Sequence, residues 1–434
     1  MNQYYSNSLI NICAVSSSDG SSGIFWKRDP RILSPFPMEV RFPGTAQSAG
    51  EENERTITGF FRPLLAIDDS DETDGYMTDR PPLWQRAWVL QERMLPTRLL
   101  MFSNRQMSWL CRCEEASEML PEGRPRLKEP SEEKKKLQEA ILGIMGKPTL
   151  PLAPLSSASP TTSSTCSGPH GLEMEKLYNA WYDLVAVYTK CGLTIPGDIF
   201  PAIAGLASRL GSALDDDYVA GLWKRDLHRG LLWSAVSSTK KLQSLRDNRA
   251  PSWSWASLPA TCAFMVRGII LNDIDTSPWE IIEAQAVTGG HDRYGEVKSA
   301  YLFVKGLLKK ANPVSEEAPD RDERLEGVTD DKFKHSQSLF DLEARAGLGH
   351  YFSDNEDLES LTEVWCTPVI SAKSYSSKDE KQRDWHGLAM VPVSAELGDA
   401  DGKRIEKCFK RVGGFTVRRS DFFKGCKKTE FFIV

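Results

Sequence analysis

Prolines confine the stretch between residues 82 and 96 to one short helix. Pro81 and Pro82 suit a first helical turn, where a missing N–H costs no intrahelical bond, and Pro96 cannot continue the ladder. Between them Leu83, Ala87, Leu90 and Met94 fall at i, i+4, i+7 and i+11, a single apolar face. Trp84 and Trp88 flank that stripe, and Gln91, Glu92 and Arg93 make up its polar end, with Arg98 just beyond. The segments Arg98–Phe102 and Met107–Cys111, separated by Ser103-Asn104-Arg105-Gln106, read as a hairpin. Upstream, Tyr4–Val15 reads as a helix running into a strand, and Ser16–Gly23 as a loop.

Past this first segment, residues 1–115, the composition changes. Residues 116–170 begin with a charged run (Glu132-Glu133-Lys134-Lys135-Lys136) and pass into a Pro/Ser/Thr-rich tract, the mark of a disordered linker; Leu137–Met145 has the pattern of a short helix within it. Residues 171–248 read as helical. Leu177, Trp181, Leu184 and Tyr188 share one face, Asp198 suits an N-cap for a helix over Ile199–Leu210, and Asp215-Asp216-Asp217 suit the start of a third helix ending near Trp233. Residues 249–434 read as β-rich. Ser252–Ser257 alternates, which places Trp253 and Trp255 on one face of a strand. Further strands are expected at Trp279–Ala286, Ala300–Leu307, Leu361–Val369, Leu388–Val393, Arg411–Val417 and Glu430–Val434, with a flexible charged insertion at about 310–357.

A net charge of −6 gives no broad basic field, so no nucleic-acid partner is expected. No apolar run approaches the roughly 20 residues of a bilayer span. The N-terminus lacks the pattern of a signal peptide, and the nine cysteines are odd in number and irregular in spacing. A cytoplasmic protein with no disulfide framework is the expectation.

Neither a Gly-rich nucleotide loop, nor His-Glu-x-x-His, nor Gly-x-Ser-x-Gly is present. Cys111 and Cys113 form the one close cysteine pair, and without a second pair no metal is expected. The six histidines are dispersed, and no cofactor site is expected. Two readings of Gln91-Glu92-Arg93 stay open. Glu92 beside tryptophans suits an acid or base and Arg93 an anion clamp; alternatively the charges fix the helix to the hairpin, which is the preferred reading. Trp253 and Trp255 likewise suit a stacking platform or, preferably, a buried join. Asp215–Asp217 have no Ca²⁺-loop spacing, so a helix start is preferred to a cation site.

The run Trp88-Val89-Leu90-Gln91-Glu92-Arg93 with Arg98 resembles the central signature of the fungal heterokaryon-incompatibility (HET) domain. The resemblance continues in order. Met1–Pro30 looks like a late-domain stretch, and Phe102 with Trp109-Leu110-Cys111 follows the signature. Leu193–Asp198, Pro201–Ala207, Tyr218–Trp223, Arg229–Trp233 and Ala250–Ser257 are similar to the region that trails the domain. The opening Tyr-x-x-Leu-Ser-Tyr-x-Trp-Gly type segment of the family does not appear, so the chain is expected to start part-way through the domain.

This resemblance implies an α+β protein: a partial α/β, TIR-like HET core, then a helical segment and a β-rich C-terminal region. It implies a role in nonself recognition and programmed cell death, with other proteins of incompatibility signalling as partners. Some TIR-fold proteins cleave NAD with a glutamate. No residue here matches that glutamate, so a NAD-hydrolysing enzyme with an incomplete site, or a non-functional remnant, stands as the alternative. Trp88, Gln91, Glu92, Arg93, Arg98, Trp253 and Trp255 are the motif residues; the catalytic residues are unassigned.

Overall fold

The computed structural model describes residues 2–29, 36–42, 55–61, 81–111, 114–123, 169–237, 249–264, 274–276, 278–314, 336–341, 346–354, 363–373, 383–394, 397–398, 404–405, 407–417 and 422–434. The chain is a mixed α+β protein in two compact units, Met1–Leu142 and Gly143–Val434. The linker tract 124–168, its Leu137–Met145 helix and Cys113 lie outside the described residues.

In the first unit, helix α1 (Asn2–Ser6) leads into strand β1 (Asn11–Ala14), as the Tyr4–Val15 pattern predicts. Strands β2 (Phe36–Phe42) and β3 (Arg55–Phe61) pair antiparallel with each other. Helix α2 (Ala87–Met94) precedes β4 (Arg98–Phe102), β5 (Met107–Cys111) and β6 (Glu115–Ser117). These four strands form a sheet in the order β1-β4-β5-β6. β1 and β4 run parallel and α2 lies on the connection between them, a β-α-β arrangement; β4, β5 and β6 are antiparallel neighbours. Ser103–Gln106 turns the β4–β5 hairpin, with Ser103 Oγ accepting from the N–H groups of Arg105 and Gln106. Val89, Trp84 and Leu83 cover one face of the sheet at Cys13, Val15, Leu99 and Met101.

The helix expected to run on from Pro81 is instead broken. Pro82–Gln85 is a 3₁₀ turn, Arg86 is extended (φ −96°, ψ 127°), and the α-helix starts only at Ala87. The break rotates Trp84 inward, so that Trp84 and Val89 fill the same cluster although no single helical stripe carries both.

In the second unit, α3 (Pro169–Tyr188) buries Trp181, Leu184 and Tyr188 as the spacing predicts. The helix expected over Ile199–Leu210 is a 3₁₀ turn, Pro196–Ile199, followed by α4 (Ala204–Leu214). Asp198 therefore lies in the 3₁₀ turn, and the N-cap residue of α4 is Ile203. The third helix expected from Asp215 does not form there. Asp215 adopts the left-handed conformation (φ 51°) that ends α4, and β7 (Tyr218–Val219) and β8 (Leu222–Trp223) make a tight hairpin. A 3₁₀ turn, Lys224–Asp226, and the short α5 (Leu227–Gly230) follow. The Asp run thus marks a helix end, because the chain reverses sharply at Ala220 (φ 45°) and Gly221 (φ 95°).

Strands β9 (Trp233–Ser237) and β10 (Thr261–Phe264) pair antiparallel. The remaining main strands build a nine-stranded sheet: β11 (Trp279–Thr288), β12 (Val297–Leu307), β13 (Lys309–Val314), β14 (Ser336–Asp341), β15 (Ala346–Ser353), β16 (Val364–Lys373), β17 (Arg383–Pro392), β20 (Cys408–Val417) and β21 (Lys428–Ile433). A minor pair, β18 (Leu397–Gly398) and β19 (Arg404–Ile405), stands apart from it. Because β17 pairs with β20 as well as β16, strands β20-β15-β14-β13-β16-β17 close into an antiparallel ring. Ala311, Val364, Cys366, Ala389, Val412 and Phe415 are a buried core of this part. The flexible insertion expected at about 310–357 is corrected here: β13, β14 and β15 fall in it and pair into the ring, since strand pairing depends on partners far away in sequence. Ser252–Ser257 is also not a strand. It turns at Pro251–Ser254 and continues as a 3₁₀ helix, Trp255–Ser257, capped by Ser254 Oγ on the Ala256 N–H.

Candidate functional site

The signature helix α2 is short because both ends are fixed. Arg86 is held extended before it, and at its far end the Leu95 N–H donates to Gln91 O before buried Pro96 turns the chain into β4. Ala87, Val89, Leu90, Gln91 and Met94 point inward; Trp88, Glu92 and Arg93 are half-buried at the edge.

Glu92 is tied to α1 and β1 through both its backbone and its carboxylate. Its backbone carbonyl accepts from Asn11 Nδ2 at 2.8 Å, which fastens α2 to β1. Burial and then the charge and hydrogen bond of the Glu92 carboxylate push the Tyr5 phenol up to about 12. Burial, followed by the same carboxylate, pushes the Cys13 thiol up to about 11, with Arg93 acting in the opposite direction. Arg93 places its guanidinium 4.9 Å from the centre of the Trp84 ring, a cation–π contact. Arg98 is exposed at the start of β4, its Nη1 3.5 Å from Leu9 O. The structure therefore gathers Glu92 and Arg93 with Tyr5, Asn11, Cys13 and Trp84. At neutral pH this cluster holds a protonated phenol as a hydrogen-bond donor and a protonated thiol, which is no nucleophile.

Tyr5, Asn11 and Cys13 escaped the sequence reading because they lie some eighty residues before the motif. A parallel pairing of β1 with β4 is what carries them to it.

Trp253 and Trp255 belong to the second unit and are fully buried. They are members of a set of six fully buried tryptophans, with Trp181, Trp223, Trp233 and Trp279, and so offer no surface for a ligand to stack on. Each indole removed from water contributes about 4–6 kcal/mol of transfer free energy before ordering costs. Trp255 Nε1 donates to Gly221 O at 2.8 Å, and Trp233 Nε1 donates to Trp253 O at 2.9 Å. Ser254 Oγ donates to Ala220 O at 2.7 Å, closing this loop onto the β7–β8 turn.

Two buried polar groups of this unit were not read from the sequence, although Asp216 of the second lies in the aspartate run. Arg411, in β20, is fully buried. Its Nε and Nη2 donate to the Asp354 carboxylate at 3.0 and 3.1 Å, and Nη1 and Nη2 donate at 2.6 Å to the carbonyls of Leu231 and Trp233. The guanidinium also stacks 3.6 Å from the Trp233 ring centre. The second group surrounds α5. Tyr182 donates a short hydrogen bond to Asp226, Arg229 pairs with Asp226 at 3.7 Å, and Tyr178 donates to Asp216 at 2.9 Å. Burial raises the Asp226 carboxyl to about 6 in spite of Arg229 and the Tyr182 hydroxyl, which lower it.

Asp216, from the aspartate run, is thus a buried acceptor, while Asp217 is exposed with Lys224 3.8 Å away. His228 and His386 are pushed down by burial and are held at Trp279 O and Thr416 Oγ1. A cavity of about 270 Å³ opens beside Arg411, with Ser252, Ser257, Ser299 and Lys410 in its wall. Among the described residues no group of three or more His, Cys, Asp or Glu side chains is arranged to hold a metal ion, and no helix is long and apolar enough to cross a membrane.

Comparison of the chain with protein families, with curated proteins and with solved structures finds no match.

Proposed function

We propose that the chain acts in the cytoplasm in nonself recognition and programmed cell death of the HET type, through contacts with other signalling proteins. On this reading the first unit is the latter part of a TIR-like α/β core. The observation that carries it is the β-α-β arrangement of β1, α2 and β4, in which the Trp88–Arg93 signature is the connecting helix and Glu92 is tied to β1 and α1. The ordered series of resembling segments through Ser257 supports it further.

The test is inducible expression of the whole chain in a filamentous fungal host. Growth arrest is expected, and it should weaken when Glu92→Ala or Trp84→Ala loosens the signature helix. Normal growth at verified expression would overturn the reading. Nicotinamide release from NAD by the purified chain would instead favour the enzymatic alternative.

A further inference from the structure

The sheet of the first unit has two unlike faces. On one, Cys13, Val15, Leu99 and Met101 meet the signature helix and the turn before it. Strand alternation puts the neighbouring residues on the other. The register aligns Ile12 with Leu100 and Leu100 with Trp109 in one row, and Ala14 with Phe102 and Phe102 with Met107 in a second. Ala116 extends the first row onto β6. Every side chain in these rows is apolar. Ile12 is 57% exposed, and Phe25, which meets Phe102 edge-on at 5.8 Å, is 84% exposed. The other side chains of the two rows are half-buried, and apolar rows grouped on one sheet face mark an association surface.

Charge decides what fits. The second face begins at Arg98, an exposed cation two residues before Leu100 on the same side of β4. At the opposite end of the strands, β1 runs through Val15 into the Ser16–Gly23 turn, which is joined to the β4–β5 turn by Ser16 and Asn104 and presents exposed Asp19. A cation at one end and a carboxylate at the other complement the same pattern reversed.

We propose that this face binds a second copy of the chain. The two sheets stack face to face about a two-fold axis perpendicular to the strands. This sets the Ile12–Leu100–Trp109 row of one copy against the Ala14–Phe102–Met107 row of the other together with the Phe25 that lies on its Phe102, with small Ala14 leaving room for Ile12, and brings Arg98 toward the partner's Asp19. Sheets packed in this way lie about 10 Å apart with interdigitated side chains, and a closed two-fold contact accounts for both apolar rows and both charges. The inference stands independently of the signalling role.

Sedimentation equilibrium of the full chain across a wide concentration range tests it, with circular dichroism confirming that each variant is folded. A dimer is expected, weakened at least tenfold by Ile12→Asp, an exposed position whose change leaves the fold intact. Arg98→Asp and Asp19→Arg should each weaken it several-fold, and the two together should restore much of the loss. A monomer at every concentration overturns the proposal. So does a dimer that is indifferent to Ile12→Asp and to both charge reversals, since its contact would lie elsewhere.

Discussion

Trp181 and Trp255 donate their indole N–H groups to one carbonyl oxygen, that of Gly221, at 3.0 and 2.8 Å. A helix residue and a loop residue far apart in sequence are thereby fixed to the β7–β8 turn. Two charge-free donors on one acceptor use both lone pairs, so the carbonyl is fully satisfied without water.

Gly221 can occupy this turn because its φ is 95°, and a Cβ there would stand 2.7 Å from Trp255 Nε1. Gly221→Ala is expected to destabilise the second unit by about 2–4 kcal/mol, from left-handed backbone strain plus overpacking. Urea unfolding followed by tryptophan fluorescence would show it as a lower midpoint.

Arg411 and Asp354 form an ion pair whose guanidinium and carboxylate are both buried. Arg411→Ala should cost about 3–5 kcal/mol, because the Asp354 charge is left in the interior without its counter-ion. Arg411→Met combined with Asp354→Leu should recover part of that loss. Equal destabilisation of the single and double variants, in the same unfolding assay, would count against this account of the pair.

Asp226 gives a pH dependence of definite sign. Its folded value, about 6, lies above the ordinary aspartate value of 3.8, so the folded state binds this proton more tightly than the unfolded chain does. Its contribution is unfavourable above pH 6 and is relieved as the pH falls toward 4. The wild type should therefore gain stability relative to Asp226→Asn between pH 7.5 and 4.5, by about 2 kcal/mol, from roughly 1.4 kcal/mol per pKa unit over the unit and a half between pH 6 and 4.5. Matched denaturation curves at the two pH values measure the difference, and a constant gap would refute the assignment.

Thiol reactivity should follow burial. Cys13, Cys262 and Cys366 are buried and pushed upward in pKa by that burial, to about 11, to about 12 and further still, whereas Cys111, Cys191 and Cys426 are partly exposed. Brief alkylation of the native chain at pH 8, read by peptide mass spectrometry, should label the second set first. Rapid labelling of Cys13 would contradict the packing of β1 beneath α2.

Local pattern alone was enough to specify the pieces whose stability is set by nearby residues. The β4–β5 hairpin, the buried stripe of α3 and the late strands β11, β12, β16, β17, β20 and β21 follow from periodicity and turn chemistry, as do the limits set by Pro81, Pro82 and Pro96. Residues 198, 215 and 252 mark where local pattern was overruled. Asp198 has the chemistry of a helix start, Asp215 that of a first turn, and Ser252–Ser257 the alternation of a strand. The last of these is redirected by contacts from distant segments: Ser254 Oγ donates to Ala220 O, and Ser252 Oγ accepts from the Arg411 N–H.

Sequence by itself determined the mixed α+β character, the signature helix with its charged end, and which tryptophans are available for burial. Only the tertiary structure decided that Glu92 meets Tyr5 and Cys13, that β13, β14 and β15 close a ring, and that Arg411 lies beneath Trp233. The physical reason is the range of the interactions. A helix stripe or a tight turn is selected by energies within a few residues, and composition reports it. Strand partners, shared acceptors and buried ion pairs are selected by which distant groups arrive together, and that is fixed only when the whole core packs.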